Sequence, residues 1–194
     1  MNISLDGFMA GPNCELDWHF QNWNNEMAEA TAIQLSEADT ILFGRITYNG
    51  MAKYWSSKIT GIYTPREDID FADMLNTYRK IVFSKTLTKA TWNNSTIVRD
   101  MPGEIKRLKQ LAGRDMMIYG SGKLVASMVE LGLIDEYRVW VHPVAIGKGK
   151  PLFRDLNHTL PLELYDTERF SSGVVLLYYK YVRRSVNELI IDNK

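Results

Sequence analysis

Thr40-Ile-Leu-Phe-Gly-Arg-Ile-Thr-Tyr48 carries the reading of the fold. Thr40 to Phe43 is an apolar run of strand length ended by Gly44, so it reads as a buried strand. A helix is expected to open at Arg45 and run to about Lys53. The same order recurs at Met116-Met-Ile-Tyr-Gly-Ser-Gly-Lys123, where a buried strand meets a glycine turn and a helix from Lys123 to Leu131 stops at Gly132. Between the two, Lys80 to Ser84 and Thr96 to Val98 read as strands and residues 68 to 78 as a helix. Pro102 opens another helix that continues through Leu111, with Gly113 as its stop. Upstream, residues 25 to 38 form a moderately amphipathic helix, and Ile3 to Leu5 ends a strand before an Asp6-Gly7 turn. Downstream, Glu136 to His142 alternates, with Tyr137, Val139 and Val141 on one face and Arg138, Trp140 and His142 on the other. Leu160 to Phe170 and Val174 to Val182 flank Ser171-Ser-Gly173, a hairpin signal.

Strand and helix thus alternate over the first two thirds, and strands alone follow. Alternation implies parallel strands joined by helical crossovers. The ending implies antiparallel strands added to the same sheet. The expected fold class is α/β, a three-layer α/β/α sandwich with a mixed, mostly parallel sheet and an antiparallel C-terminal hairpin. Residues 1–182 read as one domain and 183–194 as a C-terminal tail or short helix. The chain has 194 residues, near one domain on a prior of roughly 150.

Composition removes several function classes. Lys plus Arg and Asp plus Glu are both 23, which leaves no cationic footprint for nucleic acid. A single cysteine, Cys14, permits no intramolecular disulfide. His19, His142 and His158 are too few and too scattered for a metal site. The longest apolar run, Val174 to Tyr179, falls far short of the ~18 residues that span a bilayer. No signal peptide is readable at the start, so the cytoplasm is the expected location.

Ligands of open α/β sheets bind beyond the carboxyl ends of the parallel strands. Three expected strand ends carry polar or glycine turns: Gly44-Arg45-Ile46-Thr47-Tyr48, Ser84-Lys85-Thr86 and Gly120-Ser121-Gly122-Lys123. Helix N-termini offer unpaired N–H groups and partial positive charge to phosphate. With Arg45, Lys85 and Lys123 they make a pocket for a polyanionic cofactor. Gly120 to Gly122 is not a dinucleotide fingerprint, because Val125 stands where the third glycine would be. It is not a phosphate loop either. Its plainer reading is a tight strand-to-helix turn, as a solvated arginine is for Gly44-Arg45 and a surface loop for Ser84-Lys85.

In order along the chain stand Ser4-Leu-Asp-Gly-Phe8, Phe43-Gly-Arg-Ile-Thr-Tyr48, Phe83-Ser-Lys-Thr-Leu87, Tyr119-Gly-Ser-Gly122, Leu133-Ile-Asp-Glu-Tyr137 and Pro143-Val-Ala-Ile-Gly147. From about residue 2 to about residue 182 the chain resembles the dihydrofolate reductase-like superfamily. Within it, the chain looks like the branch of the reductase domain of the bifunctional riboflavin-biosynthesis deaminase/reductase. The resemblance implies an NADPH-dependent oxidoreductase. It implies that Gly44, Arg45 and Thr47 hold the pyrophosphate. Ser84 and Lys85 would meet the adenosine 2′-phosphate. Gly120, Ser121, Gly122, Lys123 and Leu124 would wrap the pyrophosphate and ribose from the other side. Leu5 would border the nicotinamide, and Trp18 would cap it. Tyr48 and Tyr119 would line the substrate. Hydride transfer is carried by the cofactor, so the protein must position it, exclude water and allow a proton source. Asp6 and Asp17 are the candidate catalytic acids; their plainer readings are a turn aspartate and a helix N-cap.

The chain also departs from the riboflavin reductases. Tyr119 stands where those carry a substrate-contacting glutamate before the glycine turn. Only Lys53 is available where they carry an arginine for the ribose phosphate. The deaminase domain is absent from this sequence, and the Pro-Trp loop and helix acid of true dihydrofolate reductases are not seen. Only Met1 to Ile3 precede Ser-Leu-Asp-Gly, so the first strand is expected to be truncated relative to the family. The function expected is reduction of a small pyrimidine- or pterin-like substrate, resembling 5-amino-6-(5-phosphoribosylamino)uracil reductase. The alternative is a nucleotide- or ligand-binding protein on the same fold without turnover. A homodimer is expected, with Tyr165, Phe170, Tyr178, Tyr179 and Tyr181 of the hairpin reading equally as its interface or as sheet core.

Overall fold

The computed structural model describes residues 1–56, 66–154 and 156–182, with the side chains of residues 66–68 left aside. The expected tail, 183–194, lies outside the described residues. The described residues form two compact units: those within Trp23–Leu133, and Met1–Asn22 together with those from Ile134 to Val182.

The Trp23–Leu133 unit is a parallel sheet wrapped by helices. In chain order it contains α2 (Asn25–Ser36), β3 (Ala38–Gly44), α3 (Arg45–Trp55), α4 (Arg66–Thr77), β4 (Arg79–Phe83), β5 (Ser95–Val98), α5 (Met101–Leu108), β6 (Asp115–Gly120) and α6 (Gly122–Glu130). The strand order is β5-β4-β3-β6, with every pair parallel. The chain moves outward from β3 through β4 to β5, then α5 carries it back to the other side of β3. The order therefore reverses between β3 and β6, the place where open α/β sheets bind ligands.

Both faces of β3 are covered, as a parallel sheet requires. Ile41 and Phe43 point into a cluster with Leu35, Tyr48, Leu75, Val82 and Trp92. Leu42, on the opposite face, is equally buried. Fully burying such a side chain contributes about 1.5–3 kcal/mol. Asn24 caps α2 by accepting from the Met27 N–H at 3.0 Å, and Asp100 caps α5 by accepting from the Gly103 N–H at 3.2 Å. α5 ends at Leu108, earlier than the expected stop at Gly113.

Lys80 sits in this core at 0% exposure. Its Nζ donates to the carbonyls of Leu75, Asn76 and Tyr78 at 2.5, 3.2 and 2.7 Å, and lies 4.8 Å from the centre of the Trp92 ring. Two of these carbonyls are the orphans of the last turn of α4, so the ammonium acts as an internal C-cap. Burial lowers its pKa to about 8, which still leaves it protonated at neutral pH.

The other unit holds β1 (Asn2–Ser4), β2 (Phe8–Ala10), α1 (Asp17–Phe20), β7 (Glu136–His142), β8 (Lys150–Pro151), β9 (Leu162–Arg169) and β10 (Val175–Tyr181). β1, β7, β10 and β9 form one sheet in that order, with β1 parallel to β7 and the rest antiparallel. β2 and β8 make a separate two-stranded ladder. The hairpin β9–β10 forms as expected, but it joins β7 and β1 rather than the ladder that holds β3.

β7 departs from the expected alternation. Trp140 and His142 are buried along with Tyr137 and Val139, because β7 is an interior strand with both faces covered. Trp140 stacks on Phe170, ring centres 5.0 Å apart, and His142 meets Trp18 edge-on at 5.4 Å.

Candidate functional site

Because β5, β4, β3 and β6 are parallel neighbours, their four carboxyl ends share one rim, about 14 Å across at a strand spacing near 4.8 Å. On it stand Arg99, Ser84-Lys85, Gly44-Arg45 and Gly120-Ser121 in sheet order.

At the switch point the two glycine turns touch. A Cβ on Gly44 would lie 2.5 Å from Ser121 Oγ and 3.0 Å from the Ser121 nitrogen. Gly120 has φ +117°, which L side chains rarely adopt, and a Cβ there would lie 3.0 Å from Thr47 Oγ1. The Gly120–Ser121 peptide is cis. Thus the starts of α3 and α6 come together only because two Cβ atoms are missing. Neither start has a side-chain cap: Gly44 has no side chain, and Ser121 makes no cap hydrogen bond. These two N-termini keep backbone donors aimed off adjacent strand ends, with exposed Arg45 and Lys123 beside them. Leu124 is buried, so only its backbone is available to a ligand.

One strand over, the Ser84 hydroxyl builds a turn. Its oxygen accepts from Thr86 N–H at 3.2 Å and Leu87 N–H at 2.9 Å, and the Ser84 N–H donates to Val98 O at 3.2 Å. This leaves the Ser84 O–H proton to give and presents Lys85 to solvent. Sequence reading missed Arg99, at the end of the fourth strand. Its guanidinium donates to the carbonyls of Ser84 and, at 2.6 Å, of Leu87. The available signal was a cation directly after the Thr96-Ile-Val98 strand.

Tyr48 is in the core at 2% exposure, and its hydroxyl oxygen accepts from Trp92 N–H at 2.9 Å. Tyr119 is half-buried beside Phe43 and Phe71, and burial pushes its phenol above the ordinary tyrosine range. A cavity of about 340 Å³ opens over Tyr48 and Trp92, with Lys53 and Lys89 in its lining.

Leu5, Asp6, Asp17 and Trp18 belong to the other unit. Leu5 is 69% exposed. Asp6 accepts from Ser4 Oγ at 2.6 Å and from the N–H groups of Ile146 and Gly147 at 3.2 and 2.7 Å. Led by the Ser4 bond, these donors hold its carboxyl below the ordinary range, so it is an ionised pin between two loops. Asp17 is exposed in the first turn of α1, where Leu16 occupies the N-cap position. Trp18 is buried against the His19 and His142 rings. His142 Nε2 pairs with Asn2 Oδ1 at 2.9 Å, while His142 Nδ1 and Trp18 Nε1 are buried without a partner. Burial, then the neighbouring His19, lowers the His142 pKa to about 4.

The rim geometry meets its relatives here. Residues 1–176 match the family model of the RibD C-terminal domain. The chain belongs to the RibD C-terminal domain family. It is 33% identical over 180 residues to the Bacillus subtilis protein YyaP, covering 92% of this chain and 91% of YyaP. It is 26% identical over 181 residues to YwjB of the same organism, covering 92% and 94%. Both relatives are named as uncharacterized proteins. Among solved structures, a putative riboflavin biosynthesis protein from Shewanella sp. PV-4 superposes with a TM-score of 0.73 at 20% identity, covering 94% of this chain and 97% of that one. The bifunctional deaminase and 5-amino-6-(5-phosphoribosylamino)uracil reductase of Thermotoga maritima gives 0.62 at 15% identity, covering 93% of this chain and 55% of that one. The RibD C-terminal family is one of reductase domains with the dihydrofolate reductase-like fold, and the mixed α/β architecture here agrees with it. No helix among the described residues is long and apolar enough to cross a membrane, and no group of metal-binding side chains is found among them.

Proposed function

We propose that this protein is an NADPH-dependent reductase of a small pyrimidine- or pterin-like heterocycle. The observation that carries the reading is the pair of uncapped helix starts at Gly44 and Ser121, brought together at the switch point by two glycines. That cradle fits a pyrophosphate: it offers convergent backbone N–H groups, flanking cations and no space for a Cβ. Gly44, Arg45 and Thr47 hold one side of the pyrophosphate, and Gly120 to Leu124 the other. Ser84 and Lys85 receive the adenosine 2′-phosphate, where a hydroxyl proton and an ammonium favour the dianion.

When bound, the cofactor supplies hydride; the chain's residues orient, exclude water and manage the proton. Leu5 and Trp18 are the proposed nicotinamide neighbours. Asp6 is ionised and can accept a proton but has none to donate, so water is the proposed proton source. Tyr119, whose phenol stays protonated, is the stronger substrate contact, since the Tyr48 oxygen is engaged by Trp92. The reading places the protein in the cytoplasm as a homodimer, one domain over residues 1–182.

The pinned Asp6 supports a second reading, a nucleotide-binding protein without turnover. Titration with NADPH and NADH, followed by thermal shift and nicotinamide fluorescence, tests the first. NADPH binding that raises Tm and is weakened by Arg45→Ala and Lys85→Ala supports the pocket. No binding of either nucleotide overturns it. NADPH oxidation with a panel of pterins and pyrimidines then separates reductase from binder.

A further inference from the structure

We infer that Arg99 is the positioning residue that shapes the Ser84–Leu87 loop into a receptor for a phosphomonoester, and so sets the preference for a 2′-phosphorylated nucleotide. The inference rests on the cofactor reading above and adds the fourth strand end to it.

Arg99 follows the last residue of β5, and Ser84 follows the last residue of β4; Phe83 and Val98 are partners in the ladder. The two side chains therefore start from neighbouring points on the rim. One arm of the Arg99 guanidinium binds the Ser84 carbonyl, and the other binds the Leu87 carbonyl. From inside the turn, the Ser84 oxygen binds the amides of Thr86 and Leu87. The loop is thus held from both directions, its carbonyls drawn to Arg99 and its amides to Ser84. This fixes the Ser84 hydroxyl so that its remaining proton must point away from the turn, and it exposes Lys85 next to it. A guanidinium has five N–H donors, two of which serve these carbonyls, and it keeps its charge at every accessible pH. The loop surface therefore combines one hydroxyl donor, one ammonium and one guanidinium. Arg99 itself is exposed, so it need not be buried to keep the fold together.

The two-carbonyl clamp separates position from charge. Lysine keeps the charge but cannot span two carbonyls with a planar fork. The experiment measures Kd for NADPH, NADH and adenosine 2′,5′-bisphosphate on wild type, Arg99→Gln and Arg99→Lys, with hydrogen exchange of the Thr86 and Leu87 amides. Arg99→Gln is expected to weaken NADPH and the bisphosphate about tenfold, as loss of a charge-assisted contact does, while NADH changes less than about twofold. Arg99→Lys is expected to restore less than half of that loss, and both variants to exchange the two amides about tenfold faster. Equal effects on NADPH and NADH, or none on either, overturn the inference. Full rescue by lysine with unchanged exchange also overturns it, leaving charge alone. A wild type that binds NADPH and NADH equally overturns it while the cofactor reading survives. A wild type that binds neither dinucleotide ends the cofactor reading, and the bisphosphate then decides: binding that Arg99→Gln weakens sustains the inference, and its absence overturns it.

Discussion

The two units solve the problem of buried polarity in opposite ways. In the Trp23–Leu133 unit the buried ion is Lys80, and three carbonyls satisfy it. In the other unit the most deeply buried titratable side chain is His142, at 0% exposure, which has one partner for two ring nitrogens and packs on aromatic rings. The first arrangement needs its charge; the second cannot tolerate one. The lesson is that a parallel sheet with helices on both faces has helix ends to spend, and a cation can satisfy them. His142 has aromatic rings and one amide oxygen for neighbours and no set of carbonyls, so its ring stays neutral.

The comparison breaks most readily at Lys80. Lys80→Met leaves the three carbonyls without their donor, and we expect a loss of about 3–4 kcal/mol, read by urea unfolding. A loss under about 1 kcal/mol would show that water replaces the ammonium. His142 carries the next effect. Its pKa is about 4 in the folded protein against an ordinary value of 6.5, so the unfolded chain binds more protons between those values. The His142 contribution is then fully present above pH 6.5 and is lost as pH falls toward 4, by up to about 3 kcal/mol; the buried Met1 amino group, lowered from 8.0 to about 5, adds a separate slope between those values. His142→Gln, measured by Tm against pH, is expected to flatten that window; an unchanged slope would assign it to other groups. Lys80 gives no slope in the same window, since it is protonated throughout.

Smaller effects sharpen the rim. Gly44→Ala drives a methyl group into Ser121, and we expect NADPH affinity to fall about thirtyfold with Tm lowered by several degrees. Arg45→Ala and Lys85→Ala are expected to weaken NADPH about tenfold and fivefold, measured by fluorescence titration, with greater loss at low salt. Lys85→Ala should leave NADH nearly unchanged, while Arg45→Ala weakens both nucleotides, because pyrophosphate is common to them.

Much of the fold was legible. Apolar runs ended by Gly44 and Gly120 named two parallel strands, and Pro102, Gly132 and Ser171-Ser-Gly173 punctuated helix and hairpin. β2, β8 and α1 were not legible, because segments of two to four residues carry no periodicity. The burial of Trp140 and His142 was hidden as well, since an alternating strand looks half-exposed until it gains neighbours on both sides. Of the candidate site, the three glycine and hydroxyl turns could be read. Arg99 was legible only as a cation after a strand; its partners, the backbone carbonyls of Ser84 and Leu87, are 15 and 12 residues away and carry no sequence signal.

By itself the sequence determined the local elements, the strand-ending glycines and the family, because these depend on residue type and order. The tertiary structure alone decided which strand ends are neighbours, that Gly44 and Gly120 make room for each other's turns, and that Lys80 is buried. Each of those depends on which atoms face one another across the sheet. Strand order sets that, and strand order is a property of the whole packed sheet rather than of any segment.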